Sequence, residues 1–170
     1  MNNIVLIGMP GSGKSTIGVV LAKKLGYHFL DSDLLIQDKY DKTLEQLIDE
    51  HGDAGFIQIE NDVNKSIHVE QTVIATGGSA IYGEEAMQHL KEIGTVIYLE
   101  VSLSELEDRL GSLKERGVVS NGCGTVDEIL QDRRTLYRKY ADITMHQDNK
   151  RLRESVEELY DLVVNKDNNY

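Results

Sequence analysis

The segment Gly8-Met9-Pro10-Gly11-Ser12-Gly13-Lys14-Ser15 constrains this chain more than any other, because it calls for a strand before it and a helix after it. Ile4-Val5-Leu6-Ile7, just ahead, is a short apolar run of the kind that buried parallel strands show. Behind it, Ile17, Val20, Leu21 and Leu25 recur at helical spacing until Gly26 closes the helix. Strand, Gly-x-x-x-x-Gly-Lys-Ser and helix in that order form the P-loop pattern. Gly11 and Gly13 let successive backbone N–H groups point inward at phosphates, and the helix start adds a partial positive charge. Lys14 is expected to reach the β- and γ-phosphates and the Ser15 hydroxyl to ligate Mg²⁺. Gly11, Ser12, Gly13, Lys14, Ser15 and Thr16 are therefore the candidate nucleotide-binding residues, and ATP with Mg²⁺ the expected ligand. Chance alone produces such a pattern in about 1% or fewer of chains this long. A dinucleotide fingerprint is excluded, since Thr16 stands where its third glycine should be.

The rest of the chain alternates strand and helix patterns. Tyr27 to Leu30 reads as a strand ending at Asp31, and Thr43 with Gln46 forms a capping box ahead of Leu47. A helix is expected over about residues 53–70, a strand at Val73-Ile74-Ala75, a helix over 84–92 and a strand at Val96–Leu99. Ser102 or Ser104 caps the helix that carries Arg109. A helix over 126–140, a strand at 143–145 and a helix over 150–164 follow, and 165–170 read as a frayed tail. Residues 111–125 hold four glycines with little periodicity, which predicts a mobile lid. Such alternation implies an α/β fold in one domain over residues 1–170: a five-stranded parallel sheet flanked by helices.

The net charge of −11 argues against a general affinity for nucleic acid or an anionic membrane, which need a surplus of Lys and Arg. Phosphate recognition must then be local. One cysteine, Cys123, leaves no internal disulfide, and no apolar run is long enough to span a bilayer, so a cytoplasmic monomer is the expectation.

Asp31-Ser32-Asp33 falls at the carboxyl end of the second strand, the edge where open α/β sheets bind ligands. One carboxylate there can serve the metal and the other an acceptor hydroxyl; alternatively Asp33 merely caps the next helix. Thr76-Gly77-Gly78 also follows a strand and reads either as a close approach to a ligand or as a tight turn. Arg109, Arg116, Arg133 and Arg134 are the candidates for charge stabilisation, with solvated surface arginines as the bland reading of each.

Taken together, these segments resemble the shikimate kinases from about residue 4 to 145. The family's Gly-x-x-Gly-x-Gly-Lys-Ser-Thr stands at 8–16, its Asp-x-Asp at Asp31-Ser32-Asp33, and its Thr-Gly-Gly-Gly as Thr76-Gly77-Gly78-Ser79. Gly52 to Glu60 resembles Gly-x-x-x-Phe-Arg-x-x-Glu, and Arg133 to Tyr137 resembles Arg-x-Pro-Leu-Tyr. The resemblance implies ATP-dependent phosphorylation of a small molecule's hydroxyl: shikimate to shikimate 3-phosphate, in aromatic amino acid biosynthesis. It implies Lys14, Asp33 and Arg116 as catalytic residues, with Ser15 and Asp31 on Mg²⁺ and Arg109 beside the adenine. It implies Asp33, Glu60, Gly77, Gly78 and Arg133 as acceptor-binding residues, with Arg133 gripping a carboxylate and Glu60 fixing an arginine or positioning the acceptor.

Three departures from the family stand out. Ile57 replaces an arginine that binds the substrate carboxylate, Ser79 replaces the third glycine, and Gly117-Val118-Val119 replaces Pro-Leu-Leu after the lid arginine. Two other functions therefore stand beside shikimate phosphorylation: a kinase of another hydroxy acid or polyol, and a nucleotide-dependent regulatory protein.

Overall fold

The computed structural model describes residues 3–110 and 118–167. Five strands form one parallel sheet: β1 (Asn3–Ile7), β2 (His28–Asp31), β3 (Thr72–Ala75), β4 (Gly94–Glu100) and β5 (Ile143–His146). Their order is β2-β3-β1-β4-β5, with Val5 registered between Ile74 and Val96 at the centre. The period-2 alternation of each strand divides the core in two. Val5, Ile7, Ile74, Val96 and Tyr98 face one apolar layer; Ile4, Leu6, Val73, Ile97, Leu99 and Met145 face the other. Both faces are thus covered, as a parallel sheet requires.

Helices α1 (Lys14–Leu25), α2 (Ser32–Tyr40), α3 (Leu44–Lys65), α4 (Glu84–Ile93), α5 (Leu103–Leu110) and α6 (Val126–Tyr140) connect the strands, and α7 (Leu152–Asp167) follows β5. The second apolar layer is closed by Ile17 and Leu21 of α1 and by Val156, Leu159 and Val163 of α7. Thr43 and Gln46 form the expected capping box, and Gly26 closes α1 in the left-handed conformation.

The helix expected over 53–70 begins earlier and ends sooner. Its positions belong to the second half of α3, which Gly52 breaks with φ 68° and ψ 175°. That break redirects the chain so that Phe56 and Glu60, one turn apart, share the face toward the sheet edge. The frayed tail needs correcting too: α7 runs on to Asp167, so residues 165–167 are helical. No helix among the described residues is long and apolar enough to cross a membrane.

The carboxyl ends of β1, β2 and β3 carry, in turn, the glycine loop, Asp31 and the Thr76–Ser79 turn. Three of the sequence's candidate segments therefore meet along one edge of the sheet.

Candidate active site

The glycine loop folds around the ammonium of Lys14. Its Nζ donates to the carbonyls of Gly8 at 2.7 Å and Met9 at 2.9 Å, and to Ser12 Oγ at 3.4 Å. Gly13 caps α1 at φ 92°, with no side chain occupying the first turn, so the N–H groups there stay open to an anion. Burial pushes the Lys14 amine down to about 8, against the pull of Asp33, Asp31 and Glu60.

Ser15 and Asp31 come together as expected, with Ser15 Oγ donating to Asp31 Oδ2 at 2.7 Å. A hydroxyl and a carboxylate side by side at the loop are hard oxygen donors, the kind Mg²⁺ takes together with phosphate oxygens and water. Among the described residues no cluster of three or more His, Cys, Asp or Glu side chains suits a metal on its own. One hydroxyl and one carboxylate leave the rest of a Mg²⁺ shell to phosphate and water oxygens, so Ser15 and Asp31 fit an ion that arrives with a nucleotide.

The two aspartates divide differently from the capping alternative. Asp31 is the cap of α2: its Oδ1 accepts from the N–H of Asp33 at 3.0 Å. Asp33 lies inside the first turn, and its carboxyl faces the cavity. Burial, reinforced by Asp31 and opposed by Lys14, raises the Asp33 carboxyl to about 6.

That cavity, about 400 Å³, joins the glycine loop to the acceptor-side residues. Lys14, Ser15, Asp33, Glu60, Gly77, Gly78 and Arg133 all line it. Thr76–Ser79 is held as a platform from three sides. Thr76 Oγ1 donates to the Leu6 carbonyl at 3.1 Å, the Gly77 N–H donates to Ser32 Oγ at 3.2 Å, and Tyr137 Oη donates to the Gly78 carbonyl at 2.6 Å.

Arg133 is 1% exposed. Its Nη2 donates to the Val119 carbonyl at 2.6 Å, and the guanidinium lies 5.6 Å from the centre of the Tyr82 ring. Nε and Nη1 have no hydrogen-bond partner of good geometry among the described residues, and this buried cation lines the cavity beside Tyr82 and Tyr137. Arg134 and Arg138 are on a different face of α6: with Glu100 and His146 they border a separate hollow, where Arg138 pairs with Glu100 at 2.8 Å. They cannot share the work of Arg133.

Arg109, on α5, reaches the glycine loop, with Nη1 3.2 Å from the Gly11 carbonyl and Nη2 paired to Glu105 at 2.5 Å. It is half-exposed beside the glycine loop. Arg116 lies outside the described residues, as does the lid from 111 to 117. The remainder of the lid is tied down: Asp53 Oδ2 accepts from the Asn121 N–H at 2.7 Å and from Ser120 Oγ at 3.4 Å.

Sequence reasoning noted Ser79 only as a departure. Its hydroxyl donates to Glu60 Oε2 at 2.5 Å, a contact between residues 19 apart. Tyr82 and Tyr137 were also missed as supports, although Arg133 and Tyr137, one helical turn apart, share a face by spacing alone.

Gly77 sets the separation of the two carboxyls. A Cβ there would lie 2.3 Å from Glu60 Oε1 and 2.6 Å from Asp33 Oδ1. Both obstacles are ends of flexible side chains, so Gly77→Ala should cost less than the about 1–3 kcal/mol of an overpacked core. It should nevertheless displace both carboxyls and lower kcat/KM for the acceptor by about 10²-fold, the scale of a 1 Å misplacement. Steady-state kinetics beside a thermal melt checks this; wild-type acceptor kinetics would show that Gly77 does not set the carboxyls.

Residues 10–164 match the sequence model of the family described as shikimate kinase. The shikimate kinase of Sulfurihydrogenibium sp. (strain YO3AOP1) is 32% identical over 160 residues, covering 94% of this chain and 96% of its own. That of Chlorobium chlorochromatii (strain CaD3) is 35% identical over 167 residues, covering 92% and 87%. Among solved structures, the shikimate kinase of Acinetobacter baumannii in complex with shikimate matches with a TM-score of 0.87 at 29% identity, covering 98% of this chain and 94% of that one.

Proposed function

This chain belongs to the shikimate kinase family, and from that premise we propose that it transfers the γ-phosphoryl group of ATP to a hydroxyl of shikimate, giving shikimate 3-phosphate for aromatic amino acid biosynthesis. The observation that carries this reading is the single cavity shared by the glycine loop, Asp33 and the buried guanidinium of Arg133.

In this reading the P-loop amides and Lys14 hold the phosphates. Arg133 receives the acceptor's carboxylate, Asp33 and Glu60 face its hydroxyls, and the backbone of Gly77 and Gly78 forms the floor. Asp33 orients the reacting hydroxyl. As the oxygen–phosphorus bond forms, the bond from the γ-phosphorus to the β–γ bridging oxygen breaks; the hydroxyl proton passes to Asp33 and ADP leaves. An acid raised to about 6 is a carboxylate at neutral pH, yet basic enough to take that proton. Bound at Ser15 and Asp31, Mg²⁺ supplies charge neutralisation on the phosphates. Arg116 is assigned to the transferring phosphoryl group and Arg109 to the adenine side. The chain is assigned as a monomer, and the free Cys123 suits the cytoplasm.

The test is ADP release with shikimate as variable substrate beside a panel of other hydroxy acids and polyols. Shikimate is expected to give the highest kcat/KM; preference for another acceptor would overturn the assignment.

Ile57 offers a graded check on the acceptor's orientation. Its side chain packs with the apolar cluster of Ile36, Leu47, Phe56 and Val63 and is partly exposed, so a longer side chain can carry a charged head outward. Ile57→Arg is expected to lower the KM for shikimate about tenfold, the worth of one added charged hydrogen bond, with kcat held. An unchanged KM would place the acceptor carboxylate away from residue 57.

A further inference from the structure

Glu60 is the deepest carboxyl of the cavity wall, at 1% exposure, and among the described residues no lysine, arginine or histidine forms a salt bridge with it. Its two oxygens have different surroundings. Oε2 accepts the hydroxyl of Ser79 at 2.5 Å, while Oε1 has no hydrogen-bond partner among the described residues. Oε1 and Asp33 Oδ1 lie 2.3 and 2.6 Å from one point above Gly77, so the two carboxyl groups are no further apart than those distances combined.

We infer that Ser79 is a positioning residue for the acceptor: its hydroxyl holds one oxygen of Glu60 and turns the other beside Asp33, so that the two carboxyl groups together receive hydroxyls on neighbouring carbons. This rests on the acceptor reading above and adds to it the residue that sets the orientation of Glu60.

The physical reason lies in how two close carboxyls share charge. Both cannot ionise cheaply at such a separation. Burial first, then Asp33, raises the Glu60 carboxyl to about 8, with Ser79, Arg133 and Lys14 pulling the other way. At neutral pH Glu60 is therefore mainly the protonated acid. Because Ser79 donates to Oε2, the proton of that acid belongs on Oε1, the oxygen facing Asp33 and the cavity. Glu60 then donates to the oxygen of one acceptor hydroxyl while ionised Asp33 accepts from its neighbour. The charged and titratable groups around Glu60 are Asp33 on α2, Lys14 on α1 and Arg133 on α6. As pH rises through about 8, Glu60 ionises, its donated hydrogen bond disappears, and a second negative charge adjoins Asp33.

The experiment compares the full-length wild type with Ser79→Ala, Ser79→Thr and Glu60→Gln. Ser79→Ala is expected to raise the KM for shikimate about five- to tenfold, one hydrogen bond's worth, with kcat and the KM for ATP within about twofold. Because the Ser79 hydroxyl favours ionised Glu60, its loss should also move the alkaline limb of kcat/KM to higher pH. Ser79→Thr, which keeps the hydroxyl, should restore both. Infrared spectra at neutral pH provide a readout independent of turnover: a protonated carboxyl C=O stretch that is absent in Glu60→Gln and shifted in Ser79→Ala. A wild-type KM and alkaline limb in Ser79→Ala, or no carboxylic acid band lost in Glu60→Gln, would overturn the inference. Failure of the wild type to use shikimate would instead overturn the acceptor reading beneath it, while the infrared comparison still decides the Ser79–Glu60 pairing.

Discussion

Lys14→Ala is expected to abolish most turnover, by at least about 10²–10³-fold, while the protein stays folded. The ammonium sits inside the glycine loop, 7% exposed, where it can stabilise charge developing on a transferred phosphoryl group without reorganising. Two effects on stability oppose each other. Removal leaves the Gly8 and Met9 carbonyls without that donor, yet it also removes a buried charge. The folded amine sits near 8 rather than 10.5, so the charged form is disfavoured by folding. Stability from this group is therefore present above about pH 10 and is lost as pH falls through about 8. At neutral pH the wild type bears that loss in full, and the variant should melt close to it. Circular dichroism melts beside ADP release check both parts. A folded Lys14→Ala protein with undiminished phosphotransfer would remove the assigned nucleotide site.

Asp33→Asn should lower kcat by about 10²–10⁴-fold with the KM for ATP nearly unchanged. The substitution keeps shape and hydrogen bonding and removes only the charge and the basicity. Asp31, not Asp33, caps α2, so the helix start is left intact. Because folding raises the Asp33 carboxyl to about 6, its ionised form is the disfavoured one: stability from this group is full below its ordinary value of 3.8 and lost as pH rises through about 6. Near pH 7 the asparagine variant should therefore be at least as stable as the wild type. The wild-type rate should rise with pH as Asp33 ionises near 6, and that limb should vanish in Asp33→Asn. If ATP affinity fell in step with turnover, Asp33 would belong with Ser15 and Asp31 around the metal instead.

Much of this site was legible because its chemistry is local. The glycine loop is contiguous, and its flanking strand and helix follow from period-2 and period-3.6 patterns in the same few residues. The Thr43–Gln46 box and the Gly26 cap are likewise set within one helical turn. What escaped was set across the fold or by backbone angles. Which aspartate caps α2 depends on Asp31 taking an extended conformation, φ −105° and ψ 117°, at the strand end. The break at Gly52 is a single left-handed residue inside an otherwise helical pattern. Ser79 meets Glu60 only because the second half of α3 sets out from the sheet edge at which β3 ends, which no local pattern encodes. The helical phase of α6 separates Arg133 from Arg134 and Arg138, but only the fold shows which face looks into the cavity.

Phosphoryl transfer to shikimate at this cavity is decided by the identity of the product. Phosphorus NMR on a reaction of wild-type protein, MgATP and shikimate should show one phosphoester on the acceptor for each ADP formed, and none with Lys14→Ala. ADP appearing with inorganic phosphate and no phosphorylated acceptor would mean that water, not shikimate, takes the phosphoryl group.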